Sequence, residues 1–63
     1  MTSEQFRSLG LKRAKVITDV RVSNAVMAPE GQVSIDDNGL VTVQTAKGPI
    51  HFDVKHATMV VKL

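Results

Sequence analysis

From Val16 onward apolar and polar residues alternate with a period of two. Val16, Thr18, Val20 and Val22 point one way and Ile17, Asp19 and Arg21 the other, the signature of a half-buried strand. A second strand is expected at residues 24–27, ended by Ala28-Pro29-Glu30, because proline removes a ladder donor and is confined to edges, bends and loops. Residues 31–35 (GQVSI) resume the alternation with Val33 and Ile35 on one face. Asp36-Asp37-Asn38-Gly39 follows, and Asn-Gly is a strong hairpin signal because both residues tolerate the positive φ of a type I′ turn. Residues 31–35 and Leu40–Thr45 are therefore expected to pair. Ala46-Lys47-Gly48-Pro49 makes the next turn and leads into Ile50, Phe52 and Val54, alternating with His51 and Asp53; Lys55-His56-Ala57 is a short break before residues 58–63. Before all of these, the first ten residues read as a short helix. Thr2 and Gln5 have the spacing of a capping box, Glu4 suits the first turn, Gly10 offers a stop, and Phe6 and Leu9 share a face.

One helix and about five short β segments, rich in Val, Ile and Thr, predict a mainly β fold: a short N-terminal helix laid over a five-stranded, strongly bent antiparallel barrel of SH3-like or OB-like type. The 63 residues are expected to form one domain, with no linker, repeat or low-complexity stretch. A chain this small buries only about 60% of the surface it exposes unfolded. Cysteine is absent and there are only two histidines, which excludes disulfides and thiolate metal sites and leaves no self-contained zinc site. The missing support is expected to be another copy of the chain. The last strand agrees, carrying Met59, Val61 and Leu63 on one side and Val60 on the other: a strand apolar on both faces is an aggregation hazard unless its edge is paired. If two different edges meet in every contact, the closed product is a ring.

Net charge is +2, but it is unevenly placed. Arg7, Lys12, Arg13, Lys15 and Arg21 face only Glu4 and Asp19 in residues 1–21, whereas acids outnumber bases by one in residues 22–63. A local basic cluster attracts polyanions whatever the total, although a solvated face is the plainer reading. No apolar run reaches the roughly 20 residues of a membrane span and MTSEQFRSLG lacks a signal-peptide core, so a soluble, cytoplasmic chain is expected. Nothing in the sequence has the form of a nucleophile elbow, a phosphate-cradling loop or HExxH, and Ser3, Ser8, Ser23 and Ser34 have no activating neighbour. An enzyme is not expected, nor a cofactor, a metal or a small-molecule substrate.

The stretch from Gly31 to Val41, with its glycine, an apolar residue two positions on and Asp37 six positions on, resembles the first signature of the Sm and Sm-like RNA-binding proteins. Val54-Lys55-His56-Ala57 followed by Thr58-Met59-Val60-Val61 is similar to the second signature of the bacterial Sm-like RNA chaperones, the Hfq family; the helix leading through Leu11-Lys12-Arg13 into Lys15-Val16 resembles them too. The resemblance implies a homo-oligomeric ring, joined by the fourth strand of one subunit and the fifth of the next, that binds single-stranded RNA or DNA around its pore. Asp37, Asn38, Gly39, Lys55 and His56 would line the nucleotide pocket, with Gln5 on its helix side and Lys12, Arg13 and Lys15 on the outer rim. Asn38 has the donors and acceptor to read a base edge, Lys55 attracts phosphate, and His56 can donate to a ribose or phosphate oxygen. One departure is Gly39, which stands where the family commonly has an aromatic or large apolar residue that stacks a base. Phe6 and Phe52 are expected in the core, so the stacking contribution of about 1–3 kcal/mol per base has no source. Taken without the resemblance, residues 36–39 are a hairpin turn, Lys55-His56 is turn chemistry, and Met27 and Met59 are core filler. From the same pattern follows the alternative: an SH3-like structural or protein-interaction module that meets no nucleic acid.

Overall fold

A computed structural model describes all residues, Met1–Leu63. Helix α1 spans Ser3–Ser8 and carries the expected capping box: the Gln5 amide donates to the Thr2 hydroxyl (3.1 Å) and the Thr2 amide to Gln5 Oε1 (2.9 Å). Six residues cannot hold a helix alone, so Phe6, buried in the core, is what retains it. Leu9, expected beside it, is instead 45% exposed.

Strand β1 (Arg13–Thr18) places Ala14, Val16 and Thr18 inward. It ends sooner than the alternation suggests, because Thr18 is a buried hydroxyl with local partners: Oγ1 donates to the Met27 carbonyl (2.7 Å) and accepts from the Val20 amide (3.2 Å), turning the chain out of the ladder. The expected strand at residues 24–27 is a two-stranded ribbon, β2 (Arg21–Val22) with β3 (Ala25–Val26), whose turn residues Ser23 and Asn24 both have positive φ. Asn24 is therefore a turn residue, and Val22, expected in line with Val16, lies exposed on the ribbon.

The remaining strands are β4 (Glu30–Ile35), β5 (Leu40–Thr45), β6 (Gly48–Asp53) and β7 (Ala57–Lys62), with a 3-10 turn at Val54–His56 between the last two. The expected pairing of β4 with β5 is present, with Val33 opposite Val43 and Ile35 opposite Val41. All partners are antiparallel and the order is β6-β5-β4-β1-β7. The sheet is open: β6 pairs only with β5 and β7 only with β1. Pro49 sits in β6, where an edge strand tolerates its missing N–H.

β4 passes from one partner to the other at its start, Glu30, Gly31 and Gln32 lying against β1 while Gln32 onward lies against β5. Gly31 takes φ +150° there, and a Cβ built on it would stand 1.9 Å from the Gln44 carbonyl oxygen. The core gathers Phe6, Ala14, Val16, Val33, Val41, Val43, Phe52, Val54 and Ala57, with Met27 packed at its margin. Met59 is not core filler; it is 56% exposed and shares the outer face of β7 with Val61 and Leu63, while Val60 is half-buried. No helix is long and apolar enough to cross a membrane.

Candidate nucleic-acid interface

Residues 36–39 join β4 to β5 without the expected type I′ turn. Asn38 is not among the positive-φ residues; Gly39 alone is, at +84°. The turn is closed by the Gly39 amide donating to the Asp36 carbonyl (3.2 Å), and the Asp36 carboxylate accepts from the amides of Asn38 (2.8 Å) and Leu40 (2.9 Å). An aspartate that can bridge two amides stabilises an ordinary turn followed by a left-handed glycine, which the Asn-Gly pair alone does not reveal. Replacing Asp36 by Ala leaves those amides to water and is expected to lower unfolding stability by about 1–2 kcal/mol, read by urea denaturation.

Three segments meet at this loop. Arg7 donates through Nη2 to the Asp36 carbonyl, drawing α1 over the turn. Gly39 is buried; its carbonyl accepts from the Val54 amide (2.8 Å), and an added Cβ would lie 3.0 Å from Ser3 Oγ and 3.5 Å from Val54. Gly39 thus lies between the helix and the 3-10 turn, and its φ of +84° is what calls for glycine. Asp37 and Asn38 remain exposed, their side chains without partners in the fold.

The 3-10 turn is itself capped. Asp53 accepts from the Lys55 amide (2.9 Å), leaving the exposed Lys55 ammonium free of any ion pair. Asp53 and His51, which a shared strand face would allow to bond, take other partners: His51 Nδ1 lies 2.8 Å from Thr42 Oγ1 across β5 and β6. His56 Nδ1 lies 2.9 Å from Asp19 Oδ1. Gln5 is exposed with Oε1 occupied by the cap, so only its amide NH2 is available.

The structure thus brings Asp37, Asn38 and Gly39 near Lys55 and His56, through the Gly39–Val54 bond. It does not bring the basic rim to them. Lys12, Arg13 and Lys15 are exposed at the start of β1, where Ala14 faces Lys62, whereas the 3-10 turn adjoins the other end, where Thr18 faces Ala57. Four residues of strand separate the two ends, roughly 13 Å. Lys12, Arg13 and Lys62 border an open groove of about 430 Å³ with Leu9, Leu11 and Leu63. A second groove of about 820 Å³ shares Arg13 and Leu63 and continues over Pro29, Gln44, Lys47 and Ile50. Neither groove includes Lys55 or His56.

Charge divides in the same way. The 3-10 turn has Asp53 and Asp19 beside Lys55, while the start of β1 and end of β7 carry four cations, Lys12, Arg13, Lys15 and Lys62, with only Glu30 opposite Lys15. No three His, Asp or Glu side chains converge as metal ligands would. Arg7, Asp19 and Asp36 escaped the sequence reading of the site, because their partners lie far along the chain or on the backbone. No protein-family model, curated protein or solved structure matches the chain.

Proposed function

We propose that this chain is a subunit of an Sm-like, SH3-like barrel ring that binds single-stranded RNA or DNA by positioning it, without bond-breaking chemistry. The observation that carries the reading is the pair of open sheet margins. The fourth and fifth long strands in chain order, β6 and β7, are the two whose outer edges have no partner. They differ from one another, so pairing β6 of one copy with β7 of the next is heterologous, the kind of contact that builds a ring where the rotation between neighbours closes. The exposed Met59 and Val61 lie on the strand such a contact would join, and the exposed Leu63 follows it.

Two surfaces then divide the work. Lys12, Arg13, Lys15 and Lys62 attract the phosphate backbone, and each turn of Asp37, Asn38, Lys55 and His56 offers hydrogen-bonding groups to a nucleotide. Repetition around a ring converts weak contacts into one avid surface. With Gly39 buried and Phe6 and Phe52 in the core, base recognition rests on hydrogen bonding rather than aromatic stacking.

Light scattering at micromolar concentration tests the assembly: the expected mass is a multiple of 6.8 kDa, and a stable monomer removes the ring and its shared pocket together. Replacing both Met59 and Val61 by Lys is expected to give a folded monomer, since both side chains are already exposed within one copy. Filter binding with U-rich and A-rich oligonucleotides across salt tests the ligand, with affinity expected to fall steeply as salt rises. The second reading, a protein-interaction module, is favoured by the exposed Val22 and Val26 of the β2–β3 ribbon, and it is what an assembled protein without oligonucleotide affinity at low salt would support.

A further inference from the structure

Asp19 belongs to none of the motifs in the sequence, yet it meets His56 twice. Its amide donates to the His56 carbonyl (3.0 Å), and its Oδ1 lies 2.9 Å from His56 Nδ1. A carboxylate only accepts, so the proton between them belongs to Nδ1. A neutral imidazole carries one N–H, which leaves Nε2 with a lone pair. Nε2 has no partner within the fold, and no half-buried residue holds a buried side-chain nitrogen or oxygen without one; His56 is half-buried, so its Nε2 is open to solvent.

We infer that Asp19 is a positioning residue that fixes His56 as an outward-facing hydrogen-bond acceptor, so that the 3-10 turn selects ligand groups that donate. This deepens the nucleic-acid reading and rests on it. It also reverses the role the sequence assigns to His56: a ring whose single N–H is committed to Asp19 has none to give to a phosphate oxygen, which is left to Lys55. The groups it accepts from are an O–H or N–H of the nucleotide: the ribose 2′-hydroxyl or a base N–H, and uridine, whose base has the single donor N3–H, is the simplest probe that carries both. Three segments converge here: the bend after β1 supplies Asp19, the 3-10 turn supplies His56, and Asp53 caps that turn through the Lys55 amide.

The test uses the full chain and has two readouts. Long-range 15N–1H NMR at about pH 8, above the ordinary histidine range, is expected to find the Nδ1–H tautomer at His56 and to find it replaced by the Nε2–H form in Asp19→Ala. That variant keeps its fold, because Asp19 is exposed and its backbone bond to His56 remains. Affinity for a uridine oligomer is expected to fall about tenfold in Asp19→Ala and in His56→Ala, with the double variant no weaker than either. Deoxyuridine and N3-methyluridine oligomers separate the donors, the Asp19→Ala penalty vanishing on the oligomer that lacks the group being read. An Nε2–H ring in the wild type overturns the inference; so does Asp19→Ala binding as tightly as wild type while His56→Ala does not, or an equal penalty on all three oligomers. A wild type that binds none of them overturns the nucleic-acid reading and the ligand assigned here, while the tautomer result stands by itself.

Discussion

Gly31→Ala is expected to leave the chain largely unfolded at 25 °C, without the far-ultraviolet strand signal or dispersed methyl resonances. Its Cβ would stand 1.9 Å from the Gln44 carbonyl oxygen and 2.9 Å from the carbonyl carbon, both backbone atoms of β5 that cannot rotate away. A backbone φ of +150° adds strain of about 1–3 kcal/mol for any residue with a Cβ. Relief requires moving β4 off β5 at the point where it is also held by β1, so the total cost is expected to exceed about 4 kcal/mol. A 63-residue domain has roughly 3–9 kcal/mol of stability in all, and one with so small a core lies toward the lower end, so the variant consumes most or all of it. Gly48→Ala is the control. It shares a positive φ, at +119°, but an added Cβ would meet nothing within 4 Å, so a loss of only about 1–2 kcal/mol is expected. Equal stability of the two variants would mean that β4 and β5 are not so closely apposed.

Reversing the charge at Lys55 is expected to have the largest effect on ligand affinity. Lys55 is exposed, it has no ion pair, and its neighbours on the same surface are Asp53 and Asp19. Lys55→Glu therefore replaces the one lysine of the turn by a third acid beside Asp53 and the His56-bonded Asp19. At about 1 kcal/mol for each charge-assisted contact, and with two or more subunits engaging one strand, oligonucleotide affinity is expected to fall at least about thirtyfold at low salt. The slope of log affinity against log salt should become shallower as phosphate contacts are lost. Since the Lys55 side chain makes no bond within the fold, thermal stability should be unchanged. Unaltered affinity would move the nucleic acid to the distant cluster of Lys12, Arg13, Lys15 and Lys62.

Local chemistry carried most of the fold in readable form. The Thr2 and Gln5 spacing states its capping box outright, the Val33/Ile35 and Val41/Val43 alternation states a two-stranded pairing, and the short break at Lys55-His56-Ala57 is a 3-10 turn where periodicity fails. The failures have physical causes. The alternation from Val16 to Val22 is real, but Thr18 carries a hydroxyl that satisfies backbone groups locally and ends the ladder early. The left-handed pair that Asn38-Gly39 advertised is absent there because Asp36 offers that loop a better set of bonds, while Ser23 and Asn24, in the turn between β2 and β3, both take positive φ. Met59 is apolar, and pattern alone cannot distinguish a side chain facing the core from one facing outward on an unpaired strand.

The candidate site was readable as a set of residue types and unreadable as an arrangement. Lys55 and His56 were evident as a polar turn; that Asp19 holds the histidine ring, that Arg7 reaches the Asp36 carbonyl, and that the basic rim lies at the far end of β1 all depend on contacts between distant parts of the chain. Gly39 is the instructive case. Its lack of a side chain reads as a missing stacking group, whereas in the fold it meets a left-handed φ of +84° that a residue with a Cβ rarely adopts.

That junction has a mechanical consequence. The hairpin tip is tied to the amino-terminal helix by the Arg7–Asp36 bond and to the capped 3-10 turn by the Val54–Gly39 bond, so the backbone of the surface they form is preorganised. A guest arriving there meets a backbone and a His56 ring already ordered by folding, so the entropy left to lose on binding is confined to the free side chains of Asp37, Asn38 and Lys55.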